Sequence, residues 1–104
     1  MIKSMEVNEL NEKLGKEKNL VLVDVREQAE WDEAHIPGAV FIPLSQLEAR
    51  FAELPKDKAL ILQCRSGKRS MNAATFLQEQ GYSDLTNLEG GIMAWMDEGF
   101  DVID

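Results

Sequence analysis

Cys64 is the sole cysteine of the chain, and it stands where the apolar run Ala59-Leu60-Ile61-Leu62-Gln63 ends and the polar segment Arg65-Ser66-Gly67-Lys68-Arg69-Ser70 begins. A thiol at the end of a strand, followed by a short glycine-containing turn and then at once by a helix, faces several backbone N–H groups and the positive end of the helix dipole. Those surroundings favour thiolate over thiol: the ordinary cysteine pKa near roughly 8.5 falls by one to several units beside a helix N-terminus and cations. The chemistry that follows is nucleophilic, with Cys64 forming a covalent intermediate at neutral pH. A lone cysteine closing a strand is often only a small core residue, but the charges around this one argue otherwise. Residues 59–78 contain no Asp or Glu, although 19 acids in 104 residues would put between three and four there in proportion, and Arg65, Lys68 and Arg69 fall inside that window.

The other reactive side chains carry less. His35, in His35-Ile36-Pro37-Gly38-Ala39, marks a turn into a strand, and nothing places it within reach of a proton on Cys64, so a structural role is favoured over a general base. Asp24, at a strand end, is suited to bonding the backbone of the turn after it, and Arg26 with Glu30 has the spacing of an i, i+4 pair. Trp31 and Trp95 read as packing anchors. Met71 and Met93 fall on apolar helix positions as gap-fillers. The acidic stretches 6–17 and 97–104 read as solvated faces, either of which could meet a basic partner.

These residues need a frame that presents them together. Apolar runs alternate with helical patterns along the whole chain, without repeat or low-complexity linker, the pattern of an α/β fold with a largely parallel sheet. Leu20–Val25 and Ala59–Gln63 are continuous aliphatic runs of the kind found in central strands covered on both faces. Ala39–Ile42 is shorter, and Ile2–Glu6 and Asp84–Leu88 are weaker candidates, making five strands. Helices are expected over Val7–Leu14, Gln28–Ala34, Leu44–Leu54, Lys68–Gln80 and Gly91–Glu98. In the fourth, Met71, Ala74, Thr75, Phe76 and Leu77 are expected to form the buried stripe, with Gly81 as its stop. Ligands of open α/β sheets bind beyond the carboxyl ends of the strands, so Cys64 and the Asp24-Val25-Arg26 turn should face one rim.

Composition narrows the function further. At 104 residues the chain supports one domain spanning 1–104, with a single core and a single small site. A formal charge of −8 argues against a general nucleic-acid or membrane binder, which needs basic surface. No apolar stretch reaches membrane-spanning length and the first residues lack signal-peptide character, so a cytoplasmic protein, monomeric in solution, is expected. One cysteine excludes an internal disulfide, a CxxC pair and a cysteine-based zinc site, and no metal or cofactor is called for. Whatever Cys64 accepts must be removed by another molecule.

Taken in order, Asp24-Val25-Arg26 with Glu30-Trp31, His35-Ile36-Pro37-Gly38-Ala39, Cys64-Arg65-Ser66-Gly67-Lys68-Arg69, Ser70 opening a helix, and Gly90-Gly91 followed by Ala94-Trp95 resemble a single-domain rhodanese over almost the whole chain. The resemblance implies a three-layer fold, a central, mostly parallel five-stranded sheet flanked by helices, and a Cys64 that takes a sulfane sulfur as a persulfide. It implies a small anionic donor such as thiosulfate, an acceptor that is cyanide, a thiol or a protein, and thiosulfate sulfurtransferase activity. Arg65, Ser66, Gly67, Lys68, Arg69 and Ser70 would then form the substrate loop, with the three cations attracting the donor, and Asp24 and Arg26 would support the rim. Cysteine-dependent phosphatases place their arginine six positions after the cysteine, whereas Arg69 stands five positions on; the shorter loop suits a single sulfur atom. A sulfur carrier or partner-binding module is the alternative reading, ahead of a phosphatase or arsenate reductase.

Overall fold

The computed structural model describes residues Met1 to Asp104. Five strands, β1 (Lys3–Met5), β2 (Leu20–Asp24), β3 (Val40–Phe41), β4 (Ala59–Gln63) and β5 (Leu85–Leu88), form one sheet in the order β1-β5-β4-β2-β3. Every pairing is parallel. The helices are α1 (Val7–Lys13), α2 (Gln28–Glu33), α3 (Leu44–Arg50), α4 (Lys68–Glu79) and α5 (Gly91–Asp97), and a 3₁₀ turn over Phe51–Glu53 extends α3. The expected five strands and five helices are all present, each bound unchanged or one residue shorter except at the end of α3, where the helix stops at Arg50 and the 3₁₀ turn continues to Glu53.

The two long aliphatic runs are the central strands. They pair from Leu20 opposite Ala59 to Asp24 opposite Gln63, and alternation of side chains sends their residues to two cores. Val23, Leu60, Leu62 and Cys64 face a cluster closed by Leu47 of α3 and by Ala73, Ala74 and Leu77 of α4. Leu22 and Ile61 face a second cluster closed by Leu10 of α1 and by Ile92 and Trp95 of α5. Parallel strands need this cover on both faces because neither face can be given to water. No helix is long and apolar enough to cross a membrane.

Two assignments made from sequence change. The buried face of α4 is Ser70, Ala73, Ala74 and Leu77 rather than Met71, Ala74, Thr75, Phe76 and Leu77. Met71 is 36% exposed, Thr75 is also exposed and Phe76 is only partly covered. Ser70 is drawn inward by hydrogen bonds to Cys64 and Asn87, and with it the i, i+3, i+4, i+7 stripe turns by one residue. Small residues on that stripe let the helix lie close to the sheet. Met93 is 41% exposed, a surface residue of α5 rather than a gap-filler.

The start of α5 is pressed against the end of β4. Ile92 N–H donates to the Cys64 carbonyl at 2.9 Å and Met93 N–H to the Arg65 carbonyl at 3.1 Å, which satisfies two of the N–H groups that a helix start leaves without partners. Gly91 makes this approach possible. It has a φ of +57°, and a Cβ there would collide with the carbonyls of both Cys64 and Arg65. Gly91→Ala is therefore expected to cost about 2 kcal/mol or more, as a left-handed residue with a clash against backbone does, read as a lowered urea midpoint with an unchanged m-value.

Candidate active site

Cys64 follows the last residue of β4 and is 1% exposed. The chain then turns through Arg65, Ser66 and Gly67, whose φ of +113° is open to glycine at little steric cost, and enters α4 at Lys68. The turn folds back over its own first residue. Gly67 N–H donates to Cys64 Sγ at 3.1 Å and Ser70 N–H at 3.3 Å, while the Ser70 hydroxyl lies 3.4 Å from the same sulfur. Burial pushes the thiol up, but the hydrogen bonds of Ser70, Gly67 and Ser66, their backbone N–H groups among them, outweigh it and hold Cys64 below its ordinary value. A cradle of this kind favours negative charge on sulfur by fixed dipoles that need no reorganisation.

The loop is itself held from β5. Asn87, 3% exposed, donates from Nδ2 to the Gly67 carbonyl at 3.2 Å and accepts at Oδ1 from the Ser70 hydroxyl. The sequence marked Asn87 only as a polar residue inside a short strand just before Gly90-Gly91. Gln63 was likewise only a strand end, and its Nε2 donates to the Cys64 carbonyl at 2.9 Å. That carbonyl therefore receives two donors, one from Gln63 and one from α5.

The cations divide into two groups. Arg65 and Lys68 are exposed and form no ion pair. Arg69, expected with them as an attractor of anions, instead makes a two-pronged pair with Glu30 of α2, with nitrogen–oxygen distances of 2.7 and 2.8 Å. The Arg69 guanidinium holds the Glu30 carboxyl well below the usual carboxylate range, at about 2.

Glu30 is thus not the partner of Arg26 that the i, i+4 spacing indicated. Arg26 precedes α2, whose N-cap is Glu27, and its guanidinium turns back to Asp24. Its Nε lies 3.1 Å from both carboxylate oxygens, its Nη2 lies 2.8 Å from one of them, and Nη2 also donates to the Ala34 carbonyl at 2.7 Å. Asp24 is fully buried and the Arg26 side chain 6% exposed. Asp24 and Gln63 are register partners at the carboxyl ends of β2 and β4, so the Asp24 turn and Cys64 lie on one rim. A groove of about 450 Å³ between α2 and α5, lined by Glu30, Glu33, Arg65, Met93 and Met96 among others, meets the loop at Arg65.

His35 lies apart from the sulfur. Its Nδ1 is 2.9 Å from the Trp31 carbonyl, its ring stacks on Trp31 with centroids 3.6 Å apart, and its backbone bridges to Ile103. Trp31 stacks in turn on Phe41. Trp95 is buried in the α1/α5 core and donates from Nε1 to the Asp101 carbonyl at 2.7 Å. No group of three or more His, Cys, Asp or Glu side chains is placed to hold a metal ion.

The pattern recurs in known proteins. A family model described as Rhodanese-like domain matches residues 6–98. A sulfurtransferase of Allochromatium vinosum is 36% identical over 103 residues, which span 99% of this chain and 96% of that protein. The putative sulfurtransferase YtwF of Bacillus subtilis is 43% identical over 97 residues, 93% of each. The crystal structure of a rhodanese-related protein from Thermoplasma volcanium superposes with a TM-score of 0.88 at 33% identity, covering 97% of both chains.

The Glu30–Arg69 pair makes a pH prediction. Because the folded-state pKa of Glu30 is depressed to about 2, its stabilising effect is complete above the unfolded carboxylate value near roughly 4.3 and is lost as pH falls through that window. The two side chains are about one-third exposed, which limits the pair to about 1 kcal/mol after solvent screening. Glu30→Gln should therefore be less stable than wild type at pH 7 by about that amount, with the two denaturation curves converging towards pH 2.

Proposed function

The chain belongs to the rhodanese-like domain family, and from that membership we propose that it moves a sulfane sulfur from a donor such as thiosulfate to cyanide or a thiol through a persulfide on Cys64. The observation that carries this reading is the sole cysteine of the chain at the end of β4 with two backbone N–H groups on its sulfur. A thiolate so held is ready without a general base, in keeping with a lone histidine occupied elsewhere.

The reaction is a double displacement. In the first half the Cys64 thiolate attacks the outer sulfur of thiosulfate; a bond forms between the two sulfurs, the bond to the sulfonate breaks, and sulfite leaves with its electron pair. The persulfide keeps one negative charge on its outer sulfur. In the second half the acceptor attacks that sulfur, leaves with it, and returns Cys64 as thiolate. The loop N–H groups face negative charge at both ends of each half-reaction, so their fixed dipoles need no reorganisation as the charge passes from one sulfur to the next. Gly67 allows the turn that aims them. Arg65 and Lys68, exposed on the outer side of the loop, suit an anionic donor in a protein whose net charge is −8, since a local positive patch raises the concentration of an anion that the rest of the surface repels. Arg69 acts on the loop through Glu30, and the Asp24–Arg26 pair supports the rim. The groove between α2 and α5 meets the loop at Arg65, a place from which a small thiol or a protein thiol could approach.

A phosphatase is disfavoured because the loop is one residue short of the cysteine-to-arginine spacing that phosphate chemistry uses. A pure sulfur carrier would load Cys64 but discharge only to a partner.

Intact-mass measurement after thiosulfate treatment tests the reading. Wild type should gain one sulfur atom that cyanide removes, and Cys64→Ser should gain none; a wild-type protein that takes up no cyanide-removable sulfur is not a persulfide enzyme. In steady state, Arg65→Ala and Lys68→Ala should each raise the KM for thiosulfate about fivefold, the effect of one partly screened charge contact worth ~1 kcal/mol, with kcat little altered. An unchanged KM in both variants excludes donor steering.

A further inference from the structure

The Ser70 hydroxyl has one proton and two neighbours that compete for it. Its oxygen lies 3.4 Å from Cys64 Sγ and is hydrogen-bonded to Asn87 Oδ1. The Asn87 amide cannot turn over to relieve the competition. Its Nδ2 donates to the Gly67 carbonyl at 3.2 Å, an oxygen that can only accept, so Oδ1 is the atom presented to Ser70. Ser70 is fully buried and Asn87 nearly so, which leaves no exposed position from which water would replace either bond.

With Cys64 as thiol the chain of donors is complete: S–H donates to Ser70 Oγ, the hydroxyl to Asn87 Oδ1, and Asn87 Nδ2–H to Gly67. With Cys64 as thiolate the chain is one proton short. Either Ser70 stays with Asn87 and turns a lone pair towards an anion, or it turns to the sulfur and leaves a buried Oδ1 without a donor. The N–H groups of Gly67 and Ser70 serve the sulfur in both cases.

We propose that Asn87 is a positioning residue that holds the Ser70 hydroxyl proton away from Cys64 and thereby limits how acidic the thiol becomes. It makes no hydrogen bond to the sulfur; its Nδ2 steadies the Gly67 carbonyl, and its effect on acidity runs through Ser70. The consequence for sulfur transfer is directional. In the persulfide, Sγ is again uncharged and the negative charge lies on the outer sulfur, so Ser70 keeps its bond to Asn87 and the chain is satisfied. The bare thiolate is then the least satisfied of the three forms, which favours loading of the cysteine over leaving it empty. This assignment rests on Cys64 being the sulfur-accepting nucleophile of the proposed reaction.

The test reads the pH dependence of Cys64 alkylation by iodoacetamide, which reports one site because there is one cysteine. Ser70→Ala alone should leave the midpoint in place or lower it, since the hydroxyl accepts from the thiol and gives its proton to Asn87 rather than to the thiolate. Asn87→Leu should lower the midpoint by about one unit, the gain from releasing one charge-assisted hydrogen bond onto the thiolate, and should give no such shift in the Ser70→Ala background. A midpoint raised by Ser70→Ala overturns the proposal, because the hydroxyl would then be donating to the thiolate despite Asn87. So does an Asn87→Leu protein with the wild-type midpoint, or one whose shift is the same in both backgrounds, which would place the effect in the Gly67 backbone. If Asn87→Leu does not fold, the sign of the Ser70→Ala shift decides alone. Alkylation needs no sulfur donor, so these outcomes stand apart from success or failure of persulfide formation.

Discussion

The peptide that follows β4 divides its polar groups between two directions, and the site depends on that division. The Cys64 and Arg65 carbonyls point to α5, where they accept from Ile92 and Met93. The N–H groups of Gly67 and Ser70 point to the Cys64 sulfur. Carbonyls and amides of one short loop would otherwise present opposite dipoles to the same atom. By taking up the carbonyls, the start of α5 leaves the sulfur in a region of almost pure donor character. Gly91 is what brings α5 close enough, and Gly67 is what lets the loop return over its first residue. The two glycines therefore serve one electrostatic end through backbone geometry alone.

Along the chain, residues 59–78 hold no acid, and the acids that meet the loop come from other elements. Within it, the cations have different work. Arg65 and Lys68 face solvent, whereas Arg69 is tied to Glu30 and Arg26 to Asp24. The Asp24–Arg26 pair is the more buried of the two, and such a pair contributes less to net stability than its contacts suggest, because both charges have left water. Its value lies in orientation: Arg26 reaches from Asp24 at the end of β2 to the Ala34 carbonyl at the end of α2 and so secures the segment that carries Glu30. Glu30 in turn holds Arg69 and, through it, the first turn of α4. A line of ion pairs thus runs from the sheet rim to the helix that starts beside the sulfur.

Much of this was legible in the residues. Two continuous aliphatic runs can only be central strands of a sheet covered on both faces, and a thiol at the end of one, ahead of an acid-free, glycine-containing turn, already described a cradle for negative charge. Periodicity also located every helix. It failed at α4, where hydropathy placed Met71 and Thr75 inside. Ser70 takes the inward position instead because its hydrogen bonds outweigh the preference of an apolar side chain for burial, and the whole stripe turns with it.

Sequence by itself determined the order of elements, the cysteine at the end of β4 and the glycine-containing turn that follows it, since these are set by local patterns of a few to a dozen residues. Only the tertiary structure decided the partners of the charges and the role of Asn87. Spacing offered Glu30 to Arg26, four residues away, but folding brought it Arg69, 39 positions along the chain, and a two-pronged pair across two helices prevailed over a local one. Asn87 lies 20 positions beyond the Gly67 whose carbonyl it holds, and a polar residue within a strand has no visible purpose until the sheet sets it beneath the loop. Contacts of that kind follow from strand order and register, and no pattern along the chain encodes them.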